Sequence, residues 1–145
     1  LDPEFVPMAP DATAMLARCD AALIIGDPAL FLDSESQEVQ KVDLGEEWTA
    51  MTGLPFVWAF WAGRPGALSR ERLGELQDAR DAGVAAADRI ADDYCGPGRS
   101  ALCRRYLRDN INYVLGEREQ AGLRRFYELA RAHELVESNR PIAFY

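Results

Sequence analysis

Two short glycine-containing turns carry the residues best placed to contact a small ligand. Gly26 and Asp27 directly follow an apolar run, and Thr52 and Gly53 directly precede another. In open α/β sheets the ligand cleft lies beyond the strand ends, where carboxylates, hydroxyls and backbone N–H groups can face the ligand. We therefore take these four residues as the candidate substrate-binding residues.

Each turn also has an interpretation that needs no ligand. Asp27 could accept a hydrogen bond from a substrate hydroxyl, or it could cap the turn at Pro28 as an ordinary Asx residue. Thr52 and Gly53 could offer a hydroxyl and N–H groups to a carboxylate, or they could simply end a helix. The residues leave both pairs of alternatives open, with the helix stop somewhat favoured for Thr52 and Gly53.

The other reactive side chains form no catalytic pattern, so the catalytic residues stay unassigned. The single histidine, His133, lies in a helical stretch, and residues 96–100 are too short and proline-interrupted for a phosphate loop. Three cysteines, none in a C-x-x-C pair, argue against a zinc site. Their odd number, with no secretory signal, argues against a disulfide framework. We expect neither a metal nor an organic cofactor.

Composition predicts a soluble, cytoplasmic protein. The chain has 145 residues, of which 48% are hydrophobic and 28% charged, and no apolar run approaches the roughly 20 residues that cross a membrane. A net charge of −8 argues against nucleic acid as a partner. Residues 1–5 (LDPEF) resemble a cloning scar, so we expect the native segment to begin near Val6, in mid-protein.

Apolar runs predict three short strands, over residues 21–25, 39–44 and 54–62. A short helix is expected from Asp11 to about residue 18, one helical turn at 28–31 and a brief helix at 45–51. From Ser69 onward the pattern predicts four helices in succession, with an end or a kink at Gly83 and breaks at residues 96–98 and at Gly116, the last helix ending near Leu135. So few strands suggest a sheet with members missing.

Two linked motifs carry a family resemblance. Residues 20–30 (DAALIIGDPAL) and 43–61 (DLGEEWTAMTGLPFVWAFW) closely resemble the chorismate dehydratase (MqnA) family of the futalosine route to menaquinone. The resemblance implies an α/β fold like that of type II periplasmic binding proteins, present here only in part. Residues 6–53 would form part of the second lobe. Residues 54–145 would supply a crossing strand and helices that return to the first lobe.

The resemblance also implies a reaction. Members of the family dehydrate chorismate to 3-[(1-carboxyvinyl)oxy]benzoate, without a cofactor because aromatisation of the ring drives the elimination. The expected partner is therefore a small-molecule substrate, with no membrane involved. We expect this chain alone to be an incomplete, inactive portion of the lyase that can associate with itself as a homo-oligomer. The alternative is a small-carboxylate binding module without turnover.

Overall fold

The computed structural model describes residues 3–33, 39–137 and 141–144. The chain divides into two compact units, Leu1–Asp43 and Leu44–Tyr145. Within the described residues, no helix is both long and apolar enough to span a membrane.

The first unit contains two short helices. Helix α1 (Ala12–Leu16) begins where the Asp11 carboxylate accepts a hydrogen bond from the N–H of Ala14, at 3.0 Å. This confirms the predicted cap, although the helix ends two residues earlier than expected. Helix α2 (Asp27–Leu30) is the predicted single turn, shifted by one residue, and it starts after Gly26.

The second unit is built from helices joined by segments without regular secondary structure. Its helices are α3 (Leu44–Thr52), α4 (Arg70–Ala85), α5 (Ala87–Cys95), α6 (Ser100–Arg105) and α7 (Glu117–Ala132), and α6 continues into a π-helical turn at Tyr106–Asn110. The four predicted helices after residue 69 are therefore present as α4 to α7.

Two of the predicted helix ends are wrong. Helix α4 starts after Ser69 as expected, because the Ser69 hydroxyl accepts from the N–H of Arg72, but it runs through Gly83. An interior glycine costs a helix only about 1 kcal/mol, which neighbouring turns can offset. The third helix ends at Asn110 rather than near Gly116, since the Asn112 side chain accepts from the N–H of Val114 and so competes with helical bonding.

The expected α/β, type II periplasmic-binding-like fold is not seen. No strand occurs in the part of the chain that the structure describes. Residues 21–25, predicted as a buried strand, leave Leu23 and Ile25 70% and 77% exposed, and residues 39–44 form no ladder. Residues 55–64, which cover most of the third predicted strand, have no regular secondary structure. The apolar pattern favours extended backbone, yet a strand also requires a neighbour to complete its hydrogen bonds, which a local pattern cannot supply.

An aromatic core holds the second unit together. It consists of Trp48 on α3, Phe56 in the segment that follows α3 (residues 55–64) and Phe126 on α7. The ring centroids of these three residues lie 5.4–6.0 Å apart. The rings meet edge-on or tilted, as aromatic pairs prefer. Leu123, one turn before Phe126 on α7, is almost fully buried. Through these contacts Trp48 and Phe56 pack the helices of the second unit together.

A disulfide joins the end of α5 to α6. Cys95 and Cys103 are bonded to each other, and Cys19 is free. The sequence argument against a disulfide was therefore wrong for this pair. The odd count is explained by one leftover thiol, and spacing alone could not show that a helical hairpin brings residues 95 and 103 together.

Candidate functional site

Thr52 ends helix α3 with its own side chain. Its hydroxyl donates to the carbonyl of Trp48 at 2.8 Å and accepts from the N–H of Leu54 at 3.2 Å. The N–H of Gly53 bonds the carbonyl of Thr49 at 2.8 Å, and Gly53 has φ of +70°, a conformation that glycine adopts without strain. The polar groups that the sequence offered to a carboxylate are thus engaged in stopping a helix. A substrate-binding role for Thr52 and Gly53 stays a prediction.

A guanidinium group from a distant part of the chain lies against this turn. Nη2 of Arg118, in the first turn of α7, donates to the carbonyl oxygen of Gly53 at 3.1 Å. An arginine carries five N–H donors, so one such bond leaves donors that can bind a carboxylate. Within the described residues no carboxylate is ion-paired with Arg118. The turn therefore combines a helix end with an exposed cation.

Close packing of α7 on the segment that follows α3 holds Arg118 in place. Gly122, one turn further along α7, is buried, and a Cβ added there would lie 2.2 Å from the carbonyl oxygen of Pro55. Only a residue without a side chain lets the helix approach the backbone this closely. The sequence gives no local sign of this site, because Arg118 and Gly53 are 65 residues apart.

Gly26 and Asp27 belong to the first unit, whereas Thr52 and Gly53 belong to the second. Gly26 has φ of +70°, and its carbonyl accepts from the N–H groups of Ala29 and Leu30. Asp27 is the first residue of α2 and already has an interaction partner. The turn has the geometry of a short helix start, and the proposed contact of Gly26 and Asp27 with substrate stays a prediction.

An apolar groove of about 310 Å³ lies elsewhere in the second unit. Trp61 lines it together with side chains of α4, α5 and the chain after α6, among them Val84, Ile90 and Tyr113. Burial in this apolar surrounding raises the pKa of the Tyr113 hydroxyl. Its one cationic side chain, Arg80, is hydrogen-bonded to Asp81 at 2.8 Å. The groove is therefore mainly a hydrophobic surface.

Two ion pairs join α5 to the helical segment that follows it, next to the disulfide. The Arg104 guanidinium hydrogen-bonds the Asp92 carboxylate between α6 and α5, and it lowers the pKa of that carboxyl. The Arg108 guanidinium makes a similar bond to Asp88. Among the described residues, no group of three or more His, Cys, Asp or Glu side chains could hold a metal ion.

Comparison with known protein families shows to which family the chain belongs. A family model described as menaquinone biosynthesis matches residues 1–132. The chain therefore belongs to the menaquinone biosynthesis family, and the family resemblance of residues 20–30 and 43–61 is confirmed. The match includes residues 1–5, which the sequence argument had set aside. No solved structure is significantly similar to the chain.

Proposed function

We propose that this chain is part of a chorismate dehydratase, a carbon–oxygen lyase that forms 3-[(1-carboxyvinyl)oxy]benzoate. Membership of the menaquinone biosynthesis family and the resemblance of residues 20–30 and 43–61 support the proposal. The structural observation that carries it is the Arg118 guanidinium beside the Thr52–Gly53 turn. Chorismate is a dianion, and a cation held at a candidate substrate turn is suited to bind one of its carboxylates.

The reaction is an elimination. The hydrogen at C3 of chorismate leaves as a proton, the hydroxyl at C4 leaves with a proton as water, and the ring becomes aromatic. Because aromatisation supplies the driving force, the protein's task is to hold the dianion, orient the departing groups and exclude water. In the proposal, Arg118, held against the Thr52–Gly53 turn, performs the first of these tasks.

Arg118 is a binding residue in this scheme. Its bond to the Gly53 carbonyl fixes one edge of the guanidinium, and the close packing at Gly122 fixes the helix that carries it. The other guanidinium donors can then take a carboxylate without first losing side-chain freedom.

We further propose that the isolated 145-residue chain does not turn over chorismate. The groups assigned to it bind and orient the substrate, and none of them is assigned to remove the C3 proton. The alternative, a small-carboxylate binding module without turnover, would use the same Arg118 site. Incubating the full gene product with chorismate separates the two, since a binding module would bind its ligand and return it unchanged.

Steady-state kinetics of the full gene product with chorismate test the role of Arg118. Arg118→Gln is expected to raise KM about 10- to 100-fold, the range that corresponds to loss of a charge-assisted hydrogen bond. Arg125→Gln is the matched control, because Arg125 is on the same helix and pairs with Glu128 at the surface. Equal KM values for the two variants would exclude Arg118 from substrate binding.

A further inference from the structure

Three links between side chains join α5 to the helical segment that follows it. The disulfide connects Cys95, the last residue of α5, to Cys103 on α6. Two ion pairs lie further from the connecting turn, Asp92 with Arg104 and Asp88 with Arg108. The links therefore follow one another along a single helical hairpin, residues 87–110, with the disulfide nearest the turn.

Apart from the disulfide, this hairpin is held by weak interactions. Its fully enclosed side chains are small, namely Ala87 and Ala91 on α5 and Cys103 on α6. Hydrophobic stabilisation is proportional to the apolar area that is buried, and an alanine methyl group buries little of it. The side chains of the two ion pairs are between 41% and 56% exposed, where such pairs contribute little. The disulfide is therefore the strongest of the three links.

A thiol in solution can reach the disulfide from one side. Cys95 is half-buried and lies next to an exposed turn at residues 97–99, whereas Cys103 is only 4% exposed. A thiolate of a dithiol reductant therefore attacks the sulfur of Cys95, and Cys103 leaves as a thiolate that takes up a proton. The second thiol of the reductant then displaces the sulfur of Cys95. Two electrons and two protons pass to the protein, and the reductant becomes a disulfide.

We propose that the Cys95–Cys103 bond is a redox-sensitive clasp of this hairpin. In the oxidised protein the bond keeps α5 and α6 together. After reduction only the exposed ion pairs and the small apolar contacts remain, so the hairpin opens locally while α7 stays folded. Ile90 on α5 and Leu107 after α6 both line the apolar groove, so opening of the hairpin moves part of the groove wall.

Labelling of the Cys103 thiol measures this opening. In the chain with Cys19→Ser and Cys95→Ser, Cys103 is the only thiol and the disulfide cannot form. Because Cys103 is buried, a maleimide reaches its sulfur only when the hairpin opens. Local opening exposes little surface, so the labelling rate should depend only weakly on urea concentration.

A buried thiol on α7 provides the matched control. Ala130 is 6% exposed, and Ala130→Cys in a chain with all three native cysteines replaced by serine also lacks the disulfide. Cys103 should be labelled on the order of tenfold or more faster than the thiol at position 130, because local opening requires less free energy than global unfolding. Equal labelling rates with the same steep dependence on urea would overturn the proposal.

Reduction of the wild-type chain tests whether the disulfide responds to a thiol while the protein is folded. Dithiothreitol should reduce the bond without urea, and hydrogen exchange in residues 87–110 should then become as fast as in the chain with Cys19→Ser and Cys95→Ser. Reoxidation should restore the slow exchange. A bond that dithiothreitol reduces only after urea has unfolded the chain would be purely structural, which would also overturn the proposal.

Discussion

Gly122 on α7 faces the carbonyl oxygen of Pro55 with no room for a side chain between them. An added Cβ would lie 2.2 Å from that oxygen, which is backbone and cannot rotate away. This contact lets α7 lie against the segment that follows α3, and the same helix brings Arg118 to the Gly53 carbonyl. The candidate anion site therefore depends on a glycine four residues further along the helix.

Gly122→Ala is expected to lower the free energy of unfolding by about 1–3 kcal/mol, the usual cost of forcing atoms into a packed core. Gly83→Ala is the matched control, since Gly83 is also inside a helix and a Cβ there meets nothing within 4 Å. That variant should gain about 0.5–1 kcal/mol from helix propensity. Urea unfolding of both variants gives the comparison, and a stabilised Gly122→Ala protein would show that the contact is absent.

The Cys95–Cys103 bond is expected to contribute about 2.5 kcal/mol, because closing a loop with a sequence separation of 8 removes that much chain entropy from the unfolded state. Replacing both cysteines by alanine should lower the unfolding free energy by this amount. Cys19→Ala is the control and should leave it nearly unchanged. Thiol titration of the unfolded, unreduced protein should find one free thiol, and three would refute the bond.

Thr52→Val is expected to cost about 1 kcal/mol, because the hydroxyl serves as both donor and acceptor in a partly buried turn. Thr49→Val removes a single exposed hydroxyl bond, to the Gly45 carbonyl, and should cost less. Thermal unfolding of the two variants measures the difference. Equal losses would mean that the Thr52 hydroxyl does not stop the helix in the way described.

The Asp92–Arg104 pair predicts a dependence of stability on pH. The Arg104 guanidinium lowers the pKa of the Asp92 carboxyl below its ordinary value of about 3.8, so as pH falls the unfolded chain binds the proton first. The stabilisation is therefore fully present above about pH 4 and is lost as pH falls through the folded-state pKa. Both side chains are largely exposed, so the effect should be small.

Unfolding of the wild type and Asp92→Asn between pH 6 and pH 2 measures this contribution. The stability difference between them should shrink in the acid range. Asp93→Asn is the control, because the nearest oxygen of Asp93 is 3.7 Å from Arg89, at a looser and more exposed pair. A difference between wild type and Asp92→Asn that stays constant with pH would contradict the assignment.

Local chemistry predicted the helices better than it predicted the sheet. Asp11 and Ser69 begin helices through hydrogen bonds between neighbours, so their sequence context contains the needed information. A strand depends on a partner that residues 54–62 do not specify, and these residues form no strand in the structure. The α/β expectation failed for that reason.

The candidate site could be predicted only in part. Thr52 and Gly53 were identified because they directly precede an apolar run that the sequence predicts as a strand. Arg118 was missed, because its position depends on packing between distant parts of the chain at Gly122. The disulfide was missed for the same reason, since a helical hairpin sets the distance between Cys95 and Cys103.

The most direct test of the proposed function is an assay of chorismate turnover. The full gene product and the 145-residue chain would each be incubated with chorismate, and 3-[(1-carboxyvinyl)oxy]benzoate would be followed by its ultraviolet absorbance and identified by NMR. We predict product from the full gene product and none from the 145-residue chain. Unchanged chorismate with the full gene product would contradict the assignment as a dehydratase, and product from the 145-residue chain would contradict its assignment as a binding portion alone.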